Sequence, residues 1–470
     1  MICLKKVSSI FSATFKMTSA TSITQPASRR RRSTRRQRVD ASQRASEPTT
    51  PAASAGGDEP IRRRRWLRYA VAGLLLAFAA WTIARGIRIS ELRSLAIRAA
   101  EARQAGQWQH LETVTRRWQE KDPRASMAWL LAAEAAQHQD SPGRMAAYLE
   151  QMPEDAAETP AALLELATAY FGPLNQPSRG EAACLKSLRL SAENNEAYRR
   201  LVFFYAMTLQ RDRLVRFARE AIQTGNDSPE TYIYLIGADW ITLSNAAEYN
   251  GKWLQSGDDP ERFIVGHLVH AAGSAGLESV AVNLAEDPGL RKRVASVLGI
   301  TATDAASVSI DQGLQRFPQN PELIAYQLRL RAAEGDVERV AELLAEVPAA
   351  SATDNRFFHY RGWLHDALGE TEAAIAAYRE ALRLNPFDWR SQLKLAVALR
   401  LVDQDQEAER FAELAIAGKE LRETIMKLDD VQSIPMPVLD RMLDYCRHCD
   451  SSVAESLKRR IDMIRTMRTG

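Results

Sequence analysis

Residues 355–388 read NRFFHYRGWLHDALGETEAAIAAYREALRLNPFD. Two short amphipathic segments flank Leu368-Gly369-Glu370, and each is too short to hold a helix alone in water. Each must therefore bury one face against a neighbour. Gly362, Ala374 and Ala381 are small enough to let two helices approach closely, while Phe358 and Tyr378 are large enough to fill the gap to the next pair. The stretch predicts a helix, a tight turn and a second helix.

The same punctuation recurs outward from this unit. Pro follows a capping-type residue at Asp122-Pro123, Ser141-Pro142, Thr159-Pro160, Ser228-Pro229, Asp259-Pro260, Asp287-Pro288, Asn320-Pro321 and Asn385-Pro386. Ser, Thr, Asp and Asn accept the first free helix N–H groups, and Pro suits the first helical position. Each such pair is expected to start a helix. Between these marks lie amphipathic stretches of about 12–15 residues, the size that stacks into solenoids.

Residues 355–388 resemble the tetratricopeptide repeat family. Phe358, Gly362 and His365 stand where its first helix places a large, a small and a ring residue. Ala374, Tyr378 and Ala381 match its second helix, and Pro386 matches its closing proline. Arg361 departs from the family's usual leucine. Counting by 34 gives a unit from Trp389, with Leu395, Ala396, Ala408 and Ala415, and one from Pro321. Further units open at Asn195, with Tyr198, Leu201, Tyr205, Leu214, Ala218 and Ala221, and near Ala161, Pro229 and Ser126. Leu92 to Pro123 fits loosely. Residues 260–320 are expected to form two shortened pairs, starting near Pro260 and Pro288. Roughly ten helix pairs result.

The N-terminal part has another character. Residues 1–68 hold 16 Lys and Arg against 4 Asp and Glu, and the remainder holds 46 against 55. The basic end suits an anionic membrane surface, and the mildly acidic body does not suit nucleic acid. Residues 1–65 carry no sustained apolar periodicity and are expected to be disordered. The 19 residues from Trp66 to Ala84 contain Arg68 as their only charge. As a helix they reach about 28 Å, close to a hydrocarbon core of about 30 Å. Trp66 and Trp81 stand near opposite ends, as interfacial anchors do. A buried helix of a soluble domain is the rival reading. A cleaved signal peptide cut at Ala77-Phe78-Ala79 would need a far longer basic region than such peptides have. The denser cations on the N-terminal side place the tail in the cytoplasm and the body in the periplasm of a bacterium. The Arg-, Ser- and Thr-rich start also resembles a mitochondrial transit peptide, which would place the same fold at the mitochondrial inner membrane.

The expected fold class is all-α: a helix-turn-helix repeat solenoid, right-handed as in tetratricopeptide proteins, preceded by one transmembrane helix and a disordered basic tail. The expected domains are residues 1–65 as tail, 66–86 as transmembrane helix, 88–418 as repeat array and 419–470 as capping helices.

No motif marks catalysis. Cys446-Arg447-His448-Cys449 lacks the strand–helix context of a redox pair, the adjoining His of a haem site and a second cysteine pair for zinc. A structural role is expected, with a disulfide as the alternative in an oxidising compartment. His267 and His270 are expected to fill core or surface. There is no phosphate loop, Gly-x-Ser-x-Gly elbow or His-Glu-x-x-His. No cofactor, metal or enzymatic activity is expected; a regulatory subunit or unfamiliar enzyme on helical repeats is the runner-up. The resemblance implies a groove lined by first helices that holds partner proteins. Its lining positions are Arg199, Phe203, Trp240, Arg356, His359, Trp363, Leu393, Val397 and Arg400. Arg199 is followed by Phe203, which does not support the family's carboxylate-clamping specificity.

Overall fold

The computed structural model describes residues 59–240, 243, 245–275, 279–280 and 287–469. The tail expected over 1–65 lies outside these residues up to position 58. The described residues belong to two units, one ending at Arg98 and one running from Ala99 to Gly470.

Helix α1 spans Glu59–Gln104. It begins inside the stretch expected to be tail, with Pro60 near its start, where a missing N–H costs nothing. Residues 69–90 are exposed, and the helix from Tyr69 is long and apolar enough to cross a membrane. Trp81 stacks on Phe78 with ring centroids 5.9 Å apart, and the Arg85 guanidinium lies 5.2 Å from the Trp81 ring. Both contacts suit the boundary between acyl chains and headgroups.

From Ala99 onward the helices pair in chain order. Among the described residues they are α2 (Trp108–Lys121), α3 and α4 (Ser126–Gln137, Pro142–Glu150), α5 and α6 (Thr159–Phe171, Pro177–Leu190), α7 and α8 (Asn195–Met207, Arg211–Thr224), and α9 and α10 (Pro229–Ile236, Ala246–Leu254). They continue with α11 to α13 (Pro260–Ala275, Pro288–Leu298, Ile310–Arg316), α14 and α15 (Pro321–Glu334, Val337–Ala345), α16 and α17 (Asn355–Ala367, Thr371–Leu384), α18 and α19 (Trp389–Arg400, Asp405–Ile425), and α20 and α21 (Met436–Cys449, Ser451–Thr469). The chain is an all-α helix-turn-helix solenoid.

Some of the capping residues act as their chemistry predicts, whereas Ser141 makes no cap bond and Thr159 lies inside α5, donating to the Pro153 carbonyl. Asp287 accepts from the Leu290 N–H at 2.9 Å, and Asn320 from Glu322 and Leu323. Pro123 and Pro386 are exceptions, because each sits in a turn before its helix. The caps there fall later, and Asp388 accepts from the Arg390 N–H at 3.2 Å. Gly335, with φ +78°, ends α14 in the left-handed conformation that a Cβ disfavours.

Residues 260–320 are not two simple short pairs. Helix α11 is full length, and β1 (Ser279–Val280) and β2 (Val308–Ser309) form a two-residue antiparallel ladder. Helix α19 runs beyond residue 418 to Ile425. The last pair also does more than cap the array's end, because it returns to the middle of the array and packs α21 on α8 and α9. Asp450 pairs with Arg219 on α8 at 2.9 Å. Arg460 pairs with the buried Asp227 at 3.0 Å and donates to the Gly225 carbonyl. Tyr445 donates to the Phe387 carbonyl at 3.1 Å.

Candidate functional site

Distant repeats line one cavity of about 150 Å³. The first helices α14, α16 and α18 supply Glu322, Ala325, Arg329, Arg356, His359, Tyr360 and Arg390 to its wall. Asp239 and Trp240, after α9, and Arg422, late in α19, complete it with Tyr326 and His270. Of the nine residues expected to line a groove, Trp240, Arg356 and His359 meet here.

The lower wall is a network of paired charges. Asp239 forms an ion pair with Arg211 and accepts from Asn355 and Asn385, each at 2.6 Å. Arg356 bonds both oxygens of Glu322, at 2.6 and 2.8 Å, and pairs with Asp354 at 2.6 Å. Burial lowers the Arg211 guanidinium to about 10, and the neighbouring Arg356 adds to the shift. Burial works against the charge of Arg356, but Asp354 and Glu322 outweigh it and hold its pKa well above the usual value. Every member is bonded, as buried charge requires.

His359, Ser391 and Asp388 form a chain of their own. Ser391 donates to Asp388 Oδ2 at 2.5 Å, and its Oγ lies 2.9 Å from His359 Nδ1. With the hydroxyl proton directed at Asp388, Nδ1–H donates to Ser391. An activated serine must instead donate to the imidazole. The chain orients the ring, and burial lowers His359 to about 4, so it is neutral at pH 7.

The upper wall differs. Arg329 lies 4.4 Å from the Tyr326 ring, Arg390 lies 5.7 Å from the Trp389 ring, and Arg422 lies 5.7 Å from the Trp240 ring. None of the three forms an ion pair among the described residues. The Arg422 Nε is buried without a hydrogen-bond partner. Burial and the positive charge of Arg390 lower the Arg422 pKa.

The other expected residues lie elsewhere. Arg199 bonds Glu196 at 2.7 Å through both Nε and Nη2, and its guanidinium is taken up there. Phe203 is 1% exposed and its ring lies 6.2 Å from that of Tyr234 at a tilt of 57°, so it is core and offers no area to a partner. The cause is local: Ala197 to Met207 are almost all buried, leaving α7 without a free face. Trp363 is half-buried against the core. Leu393 and Val397 are 44% and 46% exposed on one face of α18, and Arg400 and Leu401 continue that face into solvent. Leu395, Ala396, Ala398 and Leu399 cover the opposite face.

Sequence reasoning missed Arg329, Arg390, Tyr360 and Arg422. Arg329 and Arg390 stand at the same repeat positions, 9 and 2, that pointed to Trp363 and Arg356, so the register alone could have found them. Cys446 and Cys449 are free thiols at the end of α20 rather than a disulfide. Burial pushes the Cys449 thiol up to about 11 and Cys446 higher than usual, which makes both inert. His267 and His270 are buried and bond the Ala247 and Met207 carbonyls at 2.7 and 3.1 Å.

The tetratricopeptide repeat family matches residues 299–433. These residues are similar to tetratricopeptide repeats. The match covers α14 to α19, whose first helices build the cavity wall. Many solved structures align with the chain. A tetratricopeptide repeat protein from Parabacteroides merdae aligns over 66% of this chain and 99% of its own, at 12% identity and a TM-score of 0.23. The Cut9–Hcn1 hetero-tetramer of the APC/C covers 80% and 79%, at 10% identity and 0.26. The human IFIT1 dimer with PPP-AAAA covers 78% and 76%, at 13% identity and 0.25. No curated protein sequence matches the chain.

Proposed function

We propose that this protein is a membrane-tethered tetratricopeptide scaffold that docks partner proteins on the exposed face of α18. It serves assembly, secretion or organisation of proteins at a bacterial envelope membrane. The observation that carries the reading is the stripe Leu393, Val397 and Leu401, apolar side chains at i, i+4 and i+8 that are 44%, 46% and 69% exposed. A contiguous exposed apolar face marks an interaction site more often than a neutral surface. Arg400 beside it supplies a residue type enriched at binding hot spots.

The tether follows from α1. Its exposed apolar stretch, flanked by Arg62–Arg65 and by Arg85 and Arg88, fits one crossing with the tail in the cytoplasm and the repeats in the periplasm. Anchoring raises the local concentration of repeats near membrane partners.

Two experiments test the reading. Leu393→Asp with Val397→Asp changes only exposed side chains, so folding is expected to persist while a partner crosslinked to the wild type is lost. Retention of every partner by the double variant would remove α18 as the docking face. Leu75→Arg places a charge in the apolar stretch at a cost of about 2.5–3.5 kcal/mol, and is expected to move the protein from the membrane to the soluble fraction. Unchanged fractionation would refute the tether.

A further inference from the structure

The cavity wall holds five guanidinium groups, of Arg211, Arg329, Arg356, Arg390 and Arg422, against three carboxylates, of Asp239, Glu322 and Asp388. Arg211 and Arg356 are taken up by Asp239 and by Glu322 with Asp354. Asp388 is engaged by Ser391 and by the backbone of its own helix. Arg329, Arg390 and Arg422 are left, and with Asp354 counted the groups at the cavity carry one positive charge in excess. Like charges gathered in a partly buried wall repel, and they persist most simply where a counter-charge joins them.

A second observation points to the same ligand. Tyr360 lines this cavity, is only 7% exposed, and its hydroxyl has no hydrogen-bond partner among the described residues. Its hydroxyl keeps solvent access and is open to a ligand at this wall. Arg329, Arg356 and Arg390 are the charged groups whose positive fields act on it most strongly. The Arg422 Nε, buried and unbonded, is a further donor at the same wall. Guanidinium groups match tetrahedral oxyanions through paired N–H donors.

We propose that this cavity is a binding site for a phosphoryl group, held by Arg329, Arg390 and Arg422 with the Tyr360 hydroxyl as an additional donor. A phosphoryl group offers three acceptor oxygens to these donors, whereas a carboxylate offers two. The site is separate from the exposed face of α18 and stands whether or not that face docks a partner. Free phosphate and a phosphomonoester on a larger ligand present the same dianion, and the cavity recognises what they share.

The test uses the full chain in detergent micelles at fixed ionic strength, titrated calorimetrically with inorganic phosphate, O-phosphoserine and acetate. The wild type is expected to bind phosphate or O-phosphoserine at least about tenfold more tightly than acetate. Preference for O-phosphoserine assigns the site to a phosphorylated ligand, and preference for phosphate assigns it to the free ion. Arg390→Gln, Arg422→Gln and Tyr360→Phe are each expected to weaken binding about tenfold, the effect of losing one charge-assisted hydrogen bond. All variants keep the basic tail, so binding at the tail is common to every arm. Arg422→Gln also relieves repulsion with Arg390, so its thermal midpoint without anion is expected to match or exceed that of the wild type. Equal binding of acetate and phosphate, or phosphate binding unchanged in Tyr360→Phe and Arg422→Gln, overturns the proposal. Arg422→Gln unfolding without anion would make that arginine structural and also overturns it.

Discussion

Gly362→Val tests the packing that makes the repeat. A Cβ built at Gly362 meets the ring of Tyr378 at 2.5, 2.6 and 2.8 Å, closer than real contacts allow. The ring cannot swing away cheaply, because it is fully buried and its hydroxyl donates to Asp366 at 2.7 Å. Helices α16 and α17 must therefore move apart. Overpacking of this kind costs about 1–3 kcal/mol, and the better helix propensity of valine returns only a few tenths. Gly143 in α4 is the control, since a Cβ there meets nothing within 4 Å. Gly143→Ala is expected to be neutral or stabilising by up to about 1 kcal/mol. Repeat arrays do not unfold as one unit, so local hydrogen exchange is the suitable assay. A loss of about 2 kcal/mol speeds exchange across residues 355–384 by roughly 30-fold. Unchanged exchange in Gly362→Val, or equal loss in Gly143→Ala, would refute close packing as the reason for glycine at this position.

Two other predictions concern the return of the chain and its pH response. Arg460→Ala leaves the carboxylate of the buried Asp227 with Tyr232 alone, at a cost of about 3 kcal/mol, and should free α21 to exchange while α2 to α6 stay protected. Protection of α21 unchanged from wild type would show that this ion pair does not hold the closure. Burial lowers His270 to about 4, below the value of about 6.5 it has when unfolded. The unfolded chain therefore takes up this proton first. The contribution of His270 is complete above about pH 6.5 and drains as pH falls toward about 4. At pH 5 the loss is about 2 kcal/mol. The thermal midpoint should fall between pH 7 and pH 5, less steeply in His270→Gln. An equal slope in the variant would assign the acid response to other groups.

How far the molecule could be read from its sequence depended on how local each feature is. Gly362 and Tyr378 lie in adjacent helices, so a period of 34 and the size pattern expose their contact. Arg356 and His359 reached the cavity wall because repeat register fixes the inner face of each first helix. Register failed at Phe203, where the same position lies in a helix, Leu-Val-Phe-Phe-Tyr-Ala-Met, with no polar face to turn outward. Arg422 and Trp240 meet across distant repeats, a contact that no local period encodes. The return carries two ion pairs, Arg219 with Asp450 and Arg460 with Asp227, between residues more than 200 positions apart. Pro123 and Pro386 misled for a simpler reason, since proline after a capping residue fits a turn as well as a helix start.

Photo-crosslinking from position 397 tests the scaffold reading most directly. A photoreactive residue replaces Val397 in the intact protein, with the exposed Glu409 of α19 as the control position. A discrete protein adduct from position 397 that is absent from position 409, and that disappears on Leu393→Asp, is the predicted result. Adducts of equal yield from both positions, or none from position 397, would contradict docking on the α18 face.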